Sequence, residues 1–360
     1  MNTPSFRRPL ARPVVLLAAT LIYAPSLVCA RSSSSLPEYR PERQVSGVIR
    51  SWGSRQMGGL MKIWEAGFRK YQPNVYFEDT LKGTASAQYG LQVNVADLAL
   101  SARQIFPYEY YGIYRRSQLR PVEIAVATGS YDVPGKSTAL AIFVNKDNPL
   151  SRLTLKQLDG IYGDQRTGGW QGLEWVTQAA RSSKENIRTW GRLGLTGEWA
   201  DKPIHVYGPP GLYPGGVSYF QSKVMGGADT WNGSLREFND RRLMMAALAK
   251  DRYGIAYATM AYETAQAKSL ALAETQDGPY VALTKANVAN RTYPLARLAY
   301  IYFAPDRPNG DPADPKVDPK VKEFLRYILS RQGQRDVLRE GAFLPLTKQV
   351  VREQLEKLDD

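Results

Sequence analysis

The chain has 360 residues, with 47 Lys and Arg against 34 Asp and Glu, one His and one Cys. That length suffices for two domains, and an apolar fraction of 43% beside 22% charged residues excludes wholesale disorder. A single Cys forms no intrachain disulfide, and one His with one Cys cannot supply a Cys/His zinc site.

The first thirty residues stand apart. Arg7, Arg8 and Arg12 form a positive segment, 14–28 is an almost unbroken apolar run, and Val28-Cys29-Ala30 reads as a cleavage site before the serines 32–35. This is the grammar of a secretory signal peptide covering 1–30. The run is shorter than the ~20 residues of a spanning helix and contains Pro25. A lipid anchor through Cys29 fits less well, because Val28 and Ser26 occupy positions where that motif prefers a small and an aliphatic residue. Cleavage after Ala30 removes the only Cys and three arginines, taking the formal charge from +13 to +10. A disulfide-free exported chain suits the bacterial periplasm. Its Lys and Arg are scattered, with no run of five, so nucleic acid is not expected as a partner, whereas an anionic solute fits the charge.

Residues 31–44 are polar, contain Pro37 and Pro41, and read as a flexible lead-in. Val48–Trp52 is then a short strand, Gly53-Ser54 a turn, and Met57, Leu60, Met61, Trp64 and Phe68 mark one face of a helix. Strands follow at 75–77 and 97–100, with Gly83-Thr84-Ala85-Ser86 turning into a helix between them. Further strands are expected at 122–127, 140–144, 204–207 and 253–257. Helices are expected at 155–161 behind Thr154 as N-cap, at 217–225 and 241–250, and along the stripe Val321, Phe324, Leu325, Ile328, Leu329. Strands alternating with helices imply an α/β fold with mostly parallel sheets.

Enzyme signatures are absent: there is no G-x-S-x-G, Walker A loop, H-E-x-x-H or G-x-G-x-x-G. His205 lies inside a strand and reads as a packed structural residue. Glu78 and Asp79, neighbours on a strand, point to opposite faces and cannot converge on one substrate atom. The recurrent feature is a strand–turn–helix junction bearing small hydroxyl residues: Ser54, then Thr84 and Ser86, then Ser101 at a strand end. Each alone is an ordinary cap or turn. In an open α/β sheet, however, the carboxyl ends of the strands face one crevice, where helix N-termini and hydroxyls suit an oxyanion.

From Val48 to Leu346 the chain resembles the substrate-binding proteins of phosphate ABC importers. The residues that carry the likeness include Gly53-Ser54, 68–75 (FRKYQPNV), 83–86, 96–103 (ADLALSAR), 141–150 (AIFVNKDNPL), 153–163 (LTLKQLDGIYG), 254–257 (GIAY), 293–297 (YPLAR), 329–334 (LSRQGQ) and 343–346 (FLPL). The resemblance implies a two-lobed type 2 periplasmic-binding-protein clamshell. One lobe would comprise 45–145 with 263–360 and the other 146–262, with a small oxyanion bound between them and delivered to a membrane permease. It also implies a site of hydroxyls, backbone N–H groups, an arginine and a carboxylate that accepts the anion's proton. By position, Ser54, Ser86 and Ser101 would be ligands of the first lobe. The second lobe departs from the pattern: Pro209-Pro210 stands for an Arg-Asp pair and Pro214-Gly215-Gly216 for Ser-Gly-Thr. The backbone of Gly215, Gly216 and Val217 can still offer an anion nest, and Arg103 can offer a cation. The departures keep open a second class of function, a periplasmic sensor or interaction module with weakened or lost phosphate binding. No cofactor is expected.

Overall fold

In the computed structural model, residues 1, 36–209, 215–306 and 315–359 are described. The rest of the expected leader, and 210–214 of the divergent loop, lie outside them. Strand β1 (Gly47–Gly53) turns Ile49, Ser51 and Gly53 inward. The chain then passes through a short 3-10 turn into α1 (Gly58–Phe68). Met57, Leu60, Met61, Trp64 and Phe68 are all fully buried, as their spacing predicts. Then follow β2 (Val75–Thr80), α2 (Thr84–Gln92), β3 (Leu98–Ser101), α3 (Pro107–Ser117) and β4 (Val122–Thr128). Pro107 and the Glu109 carboxylate, which accepts from Phe106 N at 2.9 Å, start α3.

The chain crosses at 129–140 into β5 (Ala141–Asn145), β6 (Arg152–Thr154) and α4 (Leu155–Tyr162). Thr154 caps α4 reciprocally with Gln157: its hydroxyl accepts from Gln157 N at 3.1 Å, and Gln157 Oε1 accepts from Thr154 N at 2.9 Å. A small hairpin, β7 (Gly169–Gln171) and β8 (Glu174–Val176), leads to β9 (His205–Gly208), α5 (Gly216–Val224), β10 (Arg236–Glu237), α6 (Arg241–Lys250) and β11 (Gly254–Ala258). After β12 (Ala267–Ser269), β13 (Ala271–Ala273) and α7 (Lys285–Ala289), the chain returns to β14 (Leu298–Phe303), α8 (Pro319–Ile328), α9 (Arg331–Glu340) and α10 (Lys348–Asp359).

Two five-stranded sheets result, ordered β2-β1-β3-β14-β4 and β10-β9-β11-β5-β12. Each has its own apolar core, one built around Trp64, Phe324 and Ile301, the other around Phe143, Tyr162 and Phe220. Both belong to one compact unit, Ser35–Asp360. The expectation of mostly parallel sheets needs refining. In each sheet four strands run one way, and a single reversed strand makes half the pairings antiparallel. The reversed strands, β14 and β5, are the first ones entered after the chain crosses between sheets, so they start at the end where the others finish. Leu298 pairs with Thr128 and Ala141 with Ala258.

The sheets also divide the chain differently from the expected boundaries at 145 and 263. β5 and β12 are hydrogen-bonded within the second sheet, and Val288, Tyr293 and Leu295 pack in its core. The two crossings, 129–140 and 296–297, run side by side: Gly129 N donates to Arg297 O at 2.8 Å and Leu140 N to Leu295 O at 3.1 Å. The lead-in is another correction. Tyr39 is buried and donates to Glu323 at 2.6 Å, and its N donates to Gln332, so the segment from 36 is held against α8 and α9. Among the described residues, no helix is long and apolar enough to cross a membrane.

Candidate functional site

The carboxyl ends of β1, β9 and β11 and the starts of β5 and β14 converge on one cavity of about 110 Å³. Its walls come from both sheets and both crossings: Gln56 beyond β1, Ser137 and Thr138 before β5, Pro209 and Gly216 around the start of α5, Tyr257 and Thr259 at the end of β11, Arg241 opening α6, and Arg297 before β14. Gln56 Oε1 accepts from Ser137 N at 2.9 Å, which fixes the first crossing to the turn after β1.

Arg297 is the dominant feature. Its side chain is nearly inaccessible; one Nη2 bond at 2.9 Å reaches Ala102 O, the guanidinium lies 5.2 Å from the Tyr219 ring centre, and Nε has no protein partner. No carboxylate pairs with it among the described residues. Burial pushes its pKa down to about 10, so it is charged at neutral pH. The Tyr257 and Thr259 hydroxyls are also buried without a protein partner. Burial pushes the Tyr257 phenol well up, which keeps it a donor. Gly215, with φ +95°, turns the chain into α5; a Cβ there would stand 3.8 Å from Arg297 Nη2. The first-turn N–H groups of α5 therefore open beside this guanidinium. Buried donors without acceptors, from both sheets, and two arginines are a set of groups chemically suited to a small anion.

The residues singled out in the sequence are distributed unevenly about this cavity. Gly216 lines it, Gly215 precedes it, and Val217 is buried without lining it. Ser54 is buried, its N donating to Leu100 O at 2.8 Å. Thr84 opens α2 half-buried. The Ser86 hydroxyl donates to Gly83 O at 2.8 Å, and that of Ser101 to Arg103 O at 2.6 Å, so both serve their own turns. Arg103 makes a bidentate pair with Glu109, both bonds 2.8 Å, and lies 3.7 Å over the Phe106 ring. It is a neutralised clamp on the start of α3. Arg297 escaped the residue-by-residue reading, although a lone cation before the apolar run 298–303 was its signal. His205 is tied to its own lobe: its Nδ1 is 2.7 Å from Asp251, which also accepts from Tyr207 at 2.6 Å.

A larger hollow of about 840 Å³ lies between α3, the β7–β8 hairpin and α5. Phe106, Tyr108, Tyr111 and Trp170 line it together with Glu123 and Asp229, and those carboxylates disfavour an anion.

Comparison with known proteins agrees with this architecture. A PBP superfamily domain matches residues 40–332. The chain is 31% identical over 326 residues to the Phosphate-binding protein PstS of Pseudomonas aeruginosa, covering 90% of this chain and 91% of the relative. The chain belongs to the PBP superfamily and, within it, to the family of phosphate ABC importer substrate-binding proteins. Its fold is that of the type 2 two-lobed clamshells. It is shared with an ABC-type phosphate transport receptor from Vibrio cholerae (TM-score 0.53, 19% identity, covering 82% of this chain and 100% of that one). A possible phosphate binding protein from Planctomyces limnophilus shares it too (TM-score 0.52, 20% identity, covering 88% and 99%).

Proposed function

We propose that the protein is a periplasmic solute-binding protein that holds phosphate or a related small oxyanion between its two lobes and delivers it to the permease of an ABC importer. One observation carries this reading: the hydroxyls of Tyr257 and Thr259 and the Nε of Arg297 are buried, without a protein partner, on residues that line one interlobe cavity. Each such orphan costs about 1–3 kcal/mol, and an oxyanion held in the cavity would offer them acceptors. Membership of the family and the name of the Pseudomonas relative support the choice of phosphate.

A ligand touching both sheets favours the closed clamshell by its differential contacts, with the paired crossings as the hinge. The protein acts by binding and not by catalysis. The signal-peptide grammar of 1–30 supports export, and plain secretion matches that segment better than anchoring through Cys29. Calorimetric titration of the purified mature chain with phosphate, in buffer free of it, tests the proposal. Saturable one-to-one binding is expected. Absence of heat with phosphate and arsenate alike overturns it and leaves the sensor reading.

A further inference from the structure

The cavity that holds the anion in the reading above also carries information on which anion. Phosphate near neutral pH always bears at least one proton on oxygen, whereas sulfate, of the same shape and charge as the phosphate dianion, bears none. A binding site tells them apart by offering the proton an acceptor that a bare oxyanion repels, and a carboxylate does both.

Among the described residues, the wall of this cavity has no carboxylate. Arg297 and Arg241 supply positive charge, and Tyr257 and Thr259 supply hydroxyls, which donate to any oxygen. The residues 210–214 read Pro-Gly-Leu-Tyr-Pro and bring no acid by composition. Glu237 on β10 is the acid whose charge reaches Tyr257, but it does not line the cavity and its residue is exposed. Glu109, near the Ala102 turn, is consumed by Arg103, and Glu274, whose charge reaches Tyr219, is exposed and does not line the cavity.

We propose that the cavity recognises tetrahedral oxyanions by charge and shape without reading their protonation, so that sulfate competes with phosphate for it. This rests on the oxyanion reading of the same site and sharpens it: the ligand class widens from proton-bearing phosphate to fully ionised oxyanions.

The test is a pair of titrations of the mature chain at one pH and ionic strength, one with sodium phosphate and one with sodium sulfate, followed by displacement of one by the other. Sulfate binding within about tenfold of phosphate is the expected result. Phosphate binding with sulfate weaker by more than that overturns the inference while leaving the oxyanion reading intact. Heat from neither anion removes both. Thr259→Asp supplies the reciprocal experiment. Thr259 is the N-cap of a short 3-10 turn, a position that Asp suits, so the fold is retained. The variant should lose about a hundredfold in sulfate affinity relative to phosphate. An unchanged ratio of the two affinities counts against the proposal.

Discussion

Arg103 and Arg297 stand at the same end of the first sheet and are equally buried, 5% and 6% exposed. Arg103 meets a carboxylate through two parallel bonds and an aromatic ring, whereas Arg297 meets one carbonyl and a ring, with an unpartnered Nε. The first arrangement closes a local structure; the second stores an unmet electrostatic demand. Burial alone therefore does not mark a binding residue. Burial without compensation, in a wall shared by two sheets, does.

The comparison breaks first at its structural arm. Arg103→Ala leaves Glu109 buried and unpaired and should cost about 3–5 kcal/mol of stability in urea unfolding. A loss under about 1 kcal/mol would show the pair to be dispensable.

The binding arm predicts the opposite pattern. Arg297→Met removes a buried charge with no counter-ion, so thermal stability should hold or rise. Phosphate affinity should fall by the about 1.5–3 kcal/mol of a charged hydrogen bond, read by calorimetry. A variant that unfolds while its residual folded fraction binds normally would make Arg297 the structural residue.

A control sharpens the contrast. Thr154→Ala breaks a capping box remote from both arginines and should cost about 1 kcal/mol with anion affinity unchanged.

The smallest effect concerns a like-charged pair. Burial and then the charge of Asp79 push the Glu65 carboxyl up to about 7, and burial raises Asp79 as well. A folded pKa above the unfolded one means that the native state keeps its proton longer. Stability therefore falls as pH rises from the ordinary carboxylate range to about 7 and is level above that. Glu65→Gln should flatten part of this decline when melting temperatures are compared at pH 5 and 8.

The early elements were legible because their patterns are local, whereas β14, α3, α9 and α10 were not among the expected elements. The stripe from Met57 to Phe68 and the cap at Thr154 need only neighbours in sequence. The lobe boundaries were not, because the allegiance of β5 depends on pairing with β11, over a hundred residues away. The site was legible as a location and only partly as residues. The carboxyl ends of strands pointed to the crevice, and Gly216 lies in it, yet whether a hydroxyl or guanidinium is free depends on who else reaches it. Ser86 and Ser101 bond within their own turns, Arg103 finds Glu109 six residues on, and Arg297 gains its role only when the crossing places it beside Ala102 and α5.

The reversed strand β14 has a consequence for the order in which the chain can become a protein. It lies between β3 and β4, so the first sheet cannot close until residue 303 has been made, whereas every strand of the second sheet is present by residue 269. A chain emerging amino end first thus has every strand of its second sheet while β3 and β4 still wait as open edges, the kind of surface that invites mispairing. The half that is synthesised first is the half that is finished last.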